Sequence, residues 1–260
     1  LAMAVLFGWQ IIFPPEQREV VNNEINVGQD IAQLNISTDE TQNYSEPCQE
    51  DRILILSNKI TGSINLCGAK IDEIFLKDFK TSTKQDSDYV QFFNPKENDN
   101  AFWVESGWKA PKNIRYNLPG NDTLWTLEEG QTLTPDTPVV ISWNNDNGLI
   151  FKQKISIDEN YVFNIKQEII NNSPGSITVF PFQQLSRKEA PDGQALGLLH
   201  EGPTGYFDEE LEEIDYDDIE DNDFRSEFKE GWVGIRDKYW ATAITSLDKD
   251  NKRAIFKTST

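Results

Sequence analysis

Val139-Val140-Ile141-Ser142-Trp143, then Asn144-Asn145-Asp146-Asn147-Gly148, then Phe151-Lys152-Gln153-Lys154-Ile155-Ser156-Ile157 decide the fold. In the first block Val139, Ile141 and Trp143 fall on one side, and Val140 and Ser142 on the other. In the last, Phe151, Ile155 and Ile157 alternate with lysines and a serine. A period of two marks a strand with one buried face. The middle block is a turn, and Asn-Gly is the strongest short hairpin signal. Downstream, Tyr161, Phe163 and Ile165 share one face. A second turn follows at Asn171-Asn172-Ser173-Pro174-Gly175, and Ile177, Val179 and Pro181 resume beyond it. Upstream, Ile53-Leu54-Ile55-Leu56, Ile60 to Leu66 and Ile71 to Phe79 follow at strand spacing. The pattern predicts a meander of long antiparallel strands with one wet face. No fixed-period repeat and no helical pattern long enough for βαβ units follows Asp51. The fold class is mainly β, a large antiparallel sandwich.

The chain begins differently. Leu1 to Phe13 carry no charge, and Pro14-Pro15 end any helix there. Ala4, Val5, Leu6, Phe7, Trp9, Ile11, Ile12 and Phe13 read as the outer part of a membrane anchor, with Trp9 at the interface. Thirteen helical residues span roughly 20 Å, whereas a bilayer core needs about twenty residues. The segment therefore starts upstream of Leu1 or is no span, a cleaved signal peptide and a buried strand being the alternatives. Residues 14–51 are polar and acidic with few aromatics, and read as a disordered tether. Residues 52–260 form the folded domain.

The formal charge of −20 and a pI near 4.4 argue against nucleic acid, which needs a basic face. They also argue against docking on anionic lipid through a polybasic patch. Cys48 and Cys67 can form a bridge in an exported protein or stand as two free thiols. Asp208 to Asp223 holds eleven acids in sixteen residues. It reads as a loop and a solvated edge strand. A calcium loop is the sharper alternative, but the central Gly and the ligand spacing are missing.

Little in the sequence carries chemistry. His200 is the one histidine, and beside Gly202 it reads as a structural hydrogen-bonding residue. Zinc needs three or four converging ligands, and no nucleophile elbow, Walker loop or dinucleotide fingerprint appears. No catalytic, cofactor-binding or metal-binding residue is assigned. Trp103, Trp108 and Trp125 read as core, or as an exposed patch for a partner.

Gly231-Trp232-Val233-Gly234-Ile235-Arg236-Asp237-Lys238-Tyr239-Trp240-Ala241-Thr242-Ala243 resembles a signature of the large periplasmic domain of the YidC membrane protein insertase family. Gly62 to Asp72, Ser106-Gly107-Trp108, Leu118-Pro119-Gly120, the Trp143-to-Phe151 hairpin and Leu199-His200-Glu201-Gly202 are similar to its alphaproteobacterial branch. Phe7-Gly8-Trp9-Gln10 is similar to the outer end of the family's first transmembrane helix. The resemblance implies a twisted supersandwich of the galactose-mutarotase type, located in the periplasm and anchored in the bacterial inner membrane. It implies no enzyme activity, and a role in inserting and folding nascent membrane proteins, alone or with the Sec translocon and the SecDF accessory proteins. It also implies further strands and membrane spans beyond Thr260, so the domain is expected to be incomplete at its C-terminal end. The family's intramembrane groove Arg has no counterpart here, and Cys67 stands where a basic or polar residue is usual. A carbohydrate-binding or aldose-epimerase-like sandwich is the alternative, and a single histidine suits the epimerase chemistry poorly.

Overall fold

The computed structural model of the chain describes residues 51–189 and 200–258. The stretch that decides the fold forms β8 (Val139–Asn144) and β9 (Leu149–Ile157), paired antiparallel with Trp143 opposite Phe151. Val139, Ile141, Phe151 and Ile155 are buried as the alternation requires. The turn is more elaborate than a two-residue Asn-Gly hairpin. Asn145 is 4% exposed, and its Oδ1 accepts from the Asn147 and Leu149 amides. Asp146 and Gly148 take positive φ, at 58° and 87°. An Asn side chain thus replaces the backbone bonds that a tight turn would supply. β10 (Phe163–Asn171) pairs along all of β9, and β6 (Thr126–Glu129) pairs with β8, giving a four-stranded sheet in the order β10-β9-β8-β6.

A seven-stranded sheet faces it. β1 (Arg52–Leu56), β2 (Ile60–Asn65) and β3 (Lys70–Lys80) pair in sequence, antiparallel. β4 (Tyr89–Phe93) and β5 (Phe102–Lys109) both pair with β3, and β7 (Thr132–Leu133) runs parallel to β1. β11 (Phe180–Arg187) closes the far side against β5. Ile53, Ile55, Ile64, Ile71 and Ile74 from this sheet meet Val139, Ile141, Phe151 and Ile155 from the other in one core. Each such side chain contributes roughly 1.5–3 kcal/mol by leaving water, so the alternating apolar residues fix which face turns inward.

Two expectations are corrected here. The chain does not return along β10 after Asn171–Gly175; it crosses to the other sheet, where β11 pairs with β5. Ile177 and Val179 lie before that strand, yet pack on the core. Tyr161 is likewise outside a strand, and its hydroxyl donates to Asp78 Oδ2 at 2.7 Å.

Beyond His200, β12 (Gly202–Phe207), β13 (Glu210–Glu213), β15 (Gly231–Arg236) and β16 (Ala241–Thr245) form a third antiparallel sheet, ordered β13-β12-β15-β16. β14 (Phe224–Phe228) and β17 (Lys252–Phe256) pair as a ribbon. Phe207, Phe228 and Ala254 are buried between them, with Phe224, Val233 and Phe256 packed around. The acidic run is an edge strand as read, but its second half is a short helix, α1 (Tyr216–Asp221). Ile214 and Ile219 are buried, at 7% and 5% exposure. Ile219 is the one buried residue of this turn of helix, and Ile214 precedes it, so the surrounding acids hid the pattern. The described chain is thus mainly β, in several antiparallel sheets.

Candidate functional site

The signature hairpin, β15 and β16, owes its shape to glycine. A Cβ on Gly231, at φ 142°, would lie 1.7 Å from the Tyr206 carbonyl oxygen, and one on Gly234 2.0 Å from that of Thr242. Only glycine lets the neighbouring strands come so close. At the tip the Asp237 amide donates to the Trp240 carbonyl at 2.7 Å. That turn sends two side chains toward the large sheet. Trp240 sets its ring edge-on to Phe79 at 4.8 Å and against Phe92 at 6.2 Å. Asp237 accepts both arms of Arg187, at 2.5 and 2.8 Å. The same guanidinium lies 4.8 Å from the Phe102 ring centroid. Tyr216, opening α1, is half-buried beside it. Burial pushes its phenol up in pKa, and the Arg187 guanidinium partly offsets that.

What the hairpin leaves outside is a row across the third sheet. Leu211, Tyr206, Trp232 and Thr245 are successive register partners. Leu211 is 58% and Tyr206 38% exposed. The Arg236–Glu213 ion pair, at 3.2 Å, links β15 to β13 in the same sheet. An aromatic row with an apolar end suits contact with another polypeptide rather than bond-making chemistry.

On β1–β3 lies a polar network that the sequence did not announce. Arg52 pairs with Asp72, and its Nε donates to Ser63 Oγ at 2.7 Å. Ser63 Oγ in turn donates to Glu73 Oε2 at 2.5 Å. Asp72 is 2% exposed; burial drives its pKa up, against the pull of Arg52. The network is internally satisfied, which gives it a structural role. Beside it, a small recess is lined by Gly68, Glu105, Gly107, Asn121, Trp125 and Phe182.

The single histidine sits where a structural residue would. Its Nε2 faces the Pro203 carbonyl at 3.0 Å, which can only accept, so Nε2 carries the proton; Nδ1 lies 3.6 Å from Asp215. Trp108 and Trp125 are core, at 5% and 3% exposure, and Trp103 is half-buried. Cys67 is disulfide-bonded, which favours the bridge over two free thiols; Cys48, the other cysteine, lies outside the described residues. Among the described residues no three His, Cys, Asp or Glu side chains come together to hold a metal ion. The anchor residues Ala4 to Phe13 and the tether also lie outside them, and no described helix is long and apolar enough to cross a membrane.

The sequence named the hairpin but not its docking partners. Arg187 and Asp237 are fifty positions apart. The one available hint was a charge at the end of the Phe180–Arg187 strand pattern, where Leu185 points inward.

The model of the YidC periplasmic domain family matches residues 52–260. The membrane protein insertase YidC of Rickettsia bellii (strain OSU 85-389) is 36% identical over 265 residues, covering 98% of this chain and 46% of that protein. That of Rickettsia rickettsii (strain Iowa) is 34% identical, covering 98% and 47%. That of Rickettsia typhi (strain ATCC VR-144 / Wilmington) is 34% identical, covering 94% and 44%. The chain spans less than half the length of these relatives.

Proposed function

The chain belongs to the YidC periplasmic domain family, and from that premise we propose that it is the periplasmic, non-catalytic interaction module of a membrane protein insertase. The observation that carries this reading is the family match along residues 52–260, which begins at the first residue of β1. The module holds a folded surface beside incoming membrane proteins while they insert and fold, alone or with the Sec translocon and SecDF. Residues 1–13 anchor it in the inner membrane, 14–51 tether it, and 52–260 form the domain in the periplasm.

The site geometry supports positioning rather than chemistry. Its best-formed polar contact, Arg187 to Asp237, is spent on joining two sheets. The single histidine is held by a backbone carbonyl and a carboxylate. The surface we assign to a partner is the Leu211–Tyr206–Trp232 row.

The test places a photo-crosslinking amino acid at position 206 or 232 of the complete membrane protein, in inner-membrane vesicles that are inserting a radiolabelled substrate. Adducts to the substrate or to translocon subunits are expected from both positions, and not from position 154 on β9. Equal labelling at all three, or none, with the protein folded and membrane-bound, overturns the reading.

A further inference from the structure

The recess beside β5 is built around a charge that nothing in its surroundings neutralises by direct contact. Glu105 is 7% exposed, and no hydrogen bond or ion pair reaches its side chain among the described residues. Its carboxylate oxygens are not among the enclosed polar atoms without a partner, so they remain open to a cation arriving from solution. The adjacent cation does not pair with them. The Ile71–Val104 pairing brings Lys70 next to Glu105 on the ladder, yet Lys70 Nζ donates to the Asn121 carbonyl at 3.0 Å. Glu105 faces a space of about 20 Å3, which is room for one water-sized group. Trp125 and Phe182 line it, with Gly68, Gly107 and Gly120 leaving the backbone bare. Phe182 already serves as a cation platform, since Lys109 Nζ lies 4.7 Å from its ring centroid.

We propose that this recess receives one primary ammonium head group, that of a lysine side chain presented by another polypeptide. The ammonium donates to the Glu105 carboxylate, and its stem lies along Trp125 and Phe182. Size selects this ligand: the space admits an ammonium head but not a sugar ring or a hydrated divalent ion. Charge selects its carrier. An ethanolamine lipid head group brings a phosphate with its ammonium, and a chain of net charge −20 repels that phosphate. A lysine on a flexible four-carbon stem brings none. This site is independent of the insertase reading and stands or falls separately from it.

The test titrates the whole chain with acetyl-Gly-Lys-Gly-amide at low salt and follows backbone amide and indole resonances. Saturable shifts at Gly68, Gly107, Asn121 and the Trp125 indole are expected. The norleucine counterpart, which lacks the charge, should produce none. Glu105→Gln keeps the shape and should weaken binding about tenfold or more, the loss expected for a charge-assisted bond. Lys70→Met removes the neighbouring positive charge and should tighten it. Loss of binding in Lys70→Met, with the fold unchanged, would show that the response does not come from the Glu105 charge, and would overturn the proposal. So would shifts that do not saturate, or equal binding by Glu105→Gln. Methylammonium is the remaining probe: if it binds as well as the peptide, the site takes free amines, and the polypeptide assignment is overturned.

Discussion

Arg187 and Asp237 form a two-armed ion pair across the junction of two sheets, with both side chains about four-fifths buried. Arg187 ends β11 in the large sheet, and Asp237 follows β15 in the third. The contact fixes the signature hairpin to the body of the domain, and Trp240 repeats the attachment through the aromatic cluster. Removing one partner leaves the other charge desolvated and alone. Arg187→Met or Asp237→Leu should therefore cost about 2–4 kcal/mol, somewhat less than a fully buried pair because water still reaches both groups. The double variant should recover a good part of that loss. Urea unfolding of the four proteins measures the coupling, and additive losses would show that the pair contributes nothing of its own.

Gly231 gives a sharper prediction. Its φ of 142° and the Tyr206 carbonyl 1.7 Å from a built Cβ leave no room for a methyl group. Gly231→Ala must open the β12–β15 ladder at Phe207, beneath which lies the small second core. A loss of about 2–4 kcal/mol is expected. Amide exchange should speed up across β12 and β15 and stay slow in β8 and β9. Uniformly faster exchange would mean that the third sheet does not open on its own.

Asp208 supplies a pH dependence. Its Oδ1 accepts from the Lys229 and Glu230 amides at 3.0 and 2.9 Å, and the Glu230 bond, then the Lys229 bond, hold its pKa below the ordinary 3.8. A depressed folded-state pKa gives stability that is present above the unfolded value and lost as pH falls through the folded one. The contribution of Asp208 is therefore complete above about pH 4 and disappears at lower pH. Asp208→Asn keeps the positive φ of 46° tolerable but removes the charge. It should flatten the acid limb of the stability curve, and an unchanged limb would show that other carboxylates dominate it.

The hairpin at Val139–Ile157 was legible because one residue in two had to be apolar, and the structure follows that alternation. The crossing at Asn171–Gly175 was not legible. A turn signal records that the chain reverses, not which sheet receives it, and β11 is an acceptable partner for either edge by composition alone. α1 was hidden because Ile219 is its one buried residue within a run of acids. The seam was hidden for another reason: Arg187 and Asp237 acquire meaning only when fifty positions of chain have folded back. Gln153 also escaped notice, since a polar residue at an inward position of a strand breaks the pattern that defines the strand.

Gln153 lies among the core side chains at 1% exposure, and its Nε2 donates to the Ser106 carbonyl at 3.1 Å, tying the two sheets together. Gln167, its register partner on β10, does the same to the Gly107 carbonyl at 2.9 Å. The two differ in what is left over. The Gln153 Oε1 is buried without a partner, and such an atom costs about 1–3 kcal/mol, against about 1 kcal/mol from the bond its amide makes. Gln153→Leu discards both terms and adds apolar burial. It should leave stability within about 1 kcal/mol of the parent, or raise it. Gln167→Leu loses a bond with no stranded atom to offset it, and should cost about 1 kcal/mol. Urea midpoints at unchanged slope decide between them. A loss above about 2 kcal/mol in Gln153→Leu would show that the inter-sheet bond outweighs the stranded oxygen.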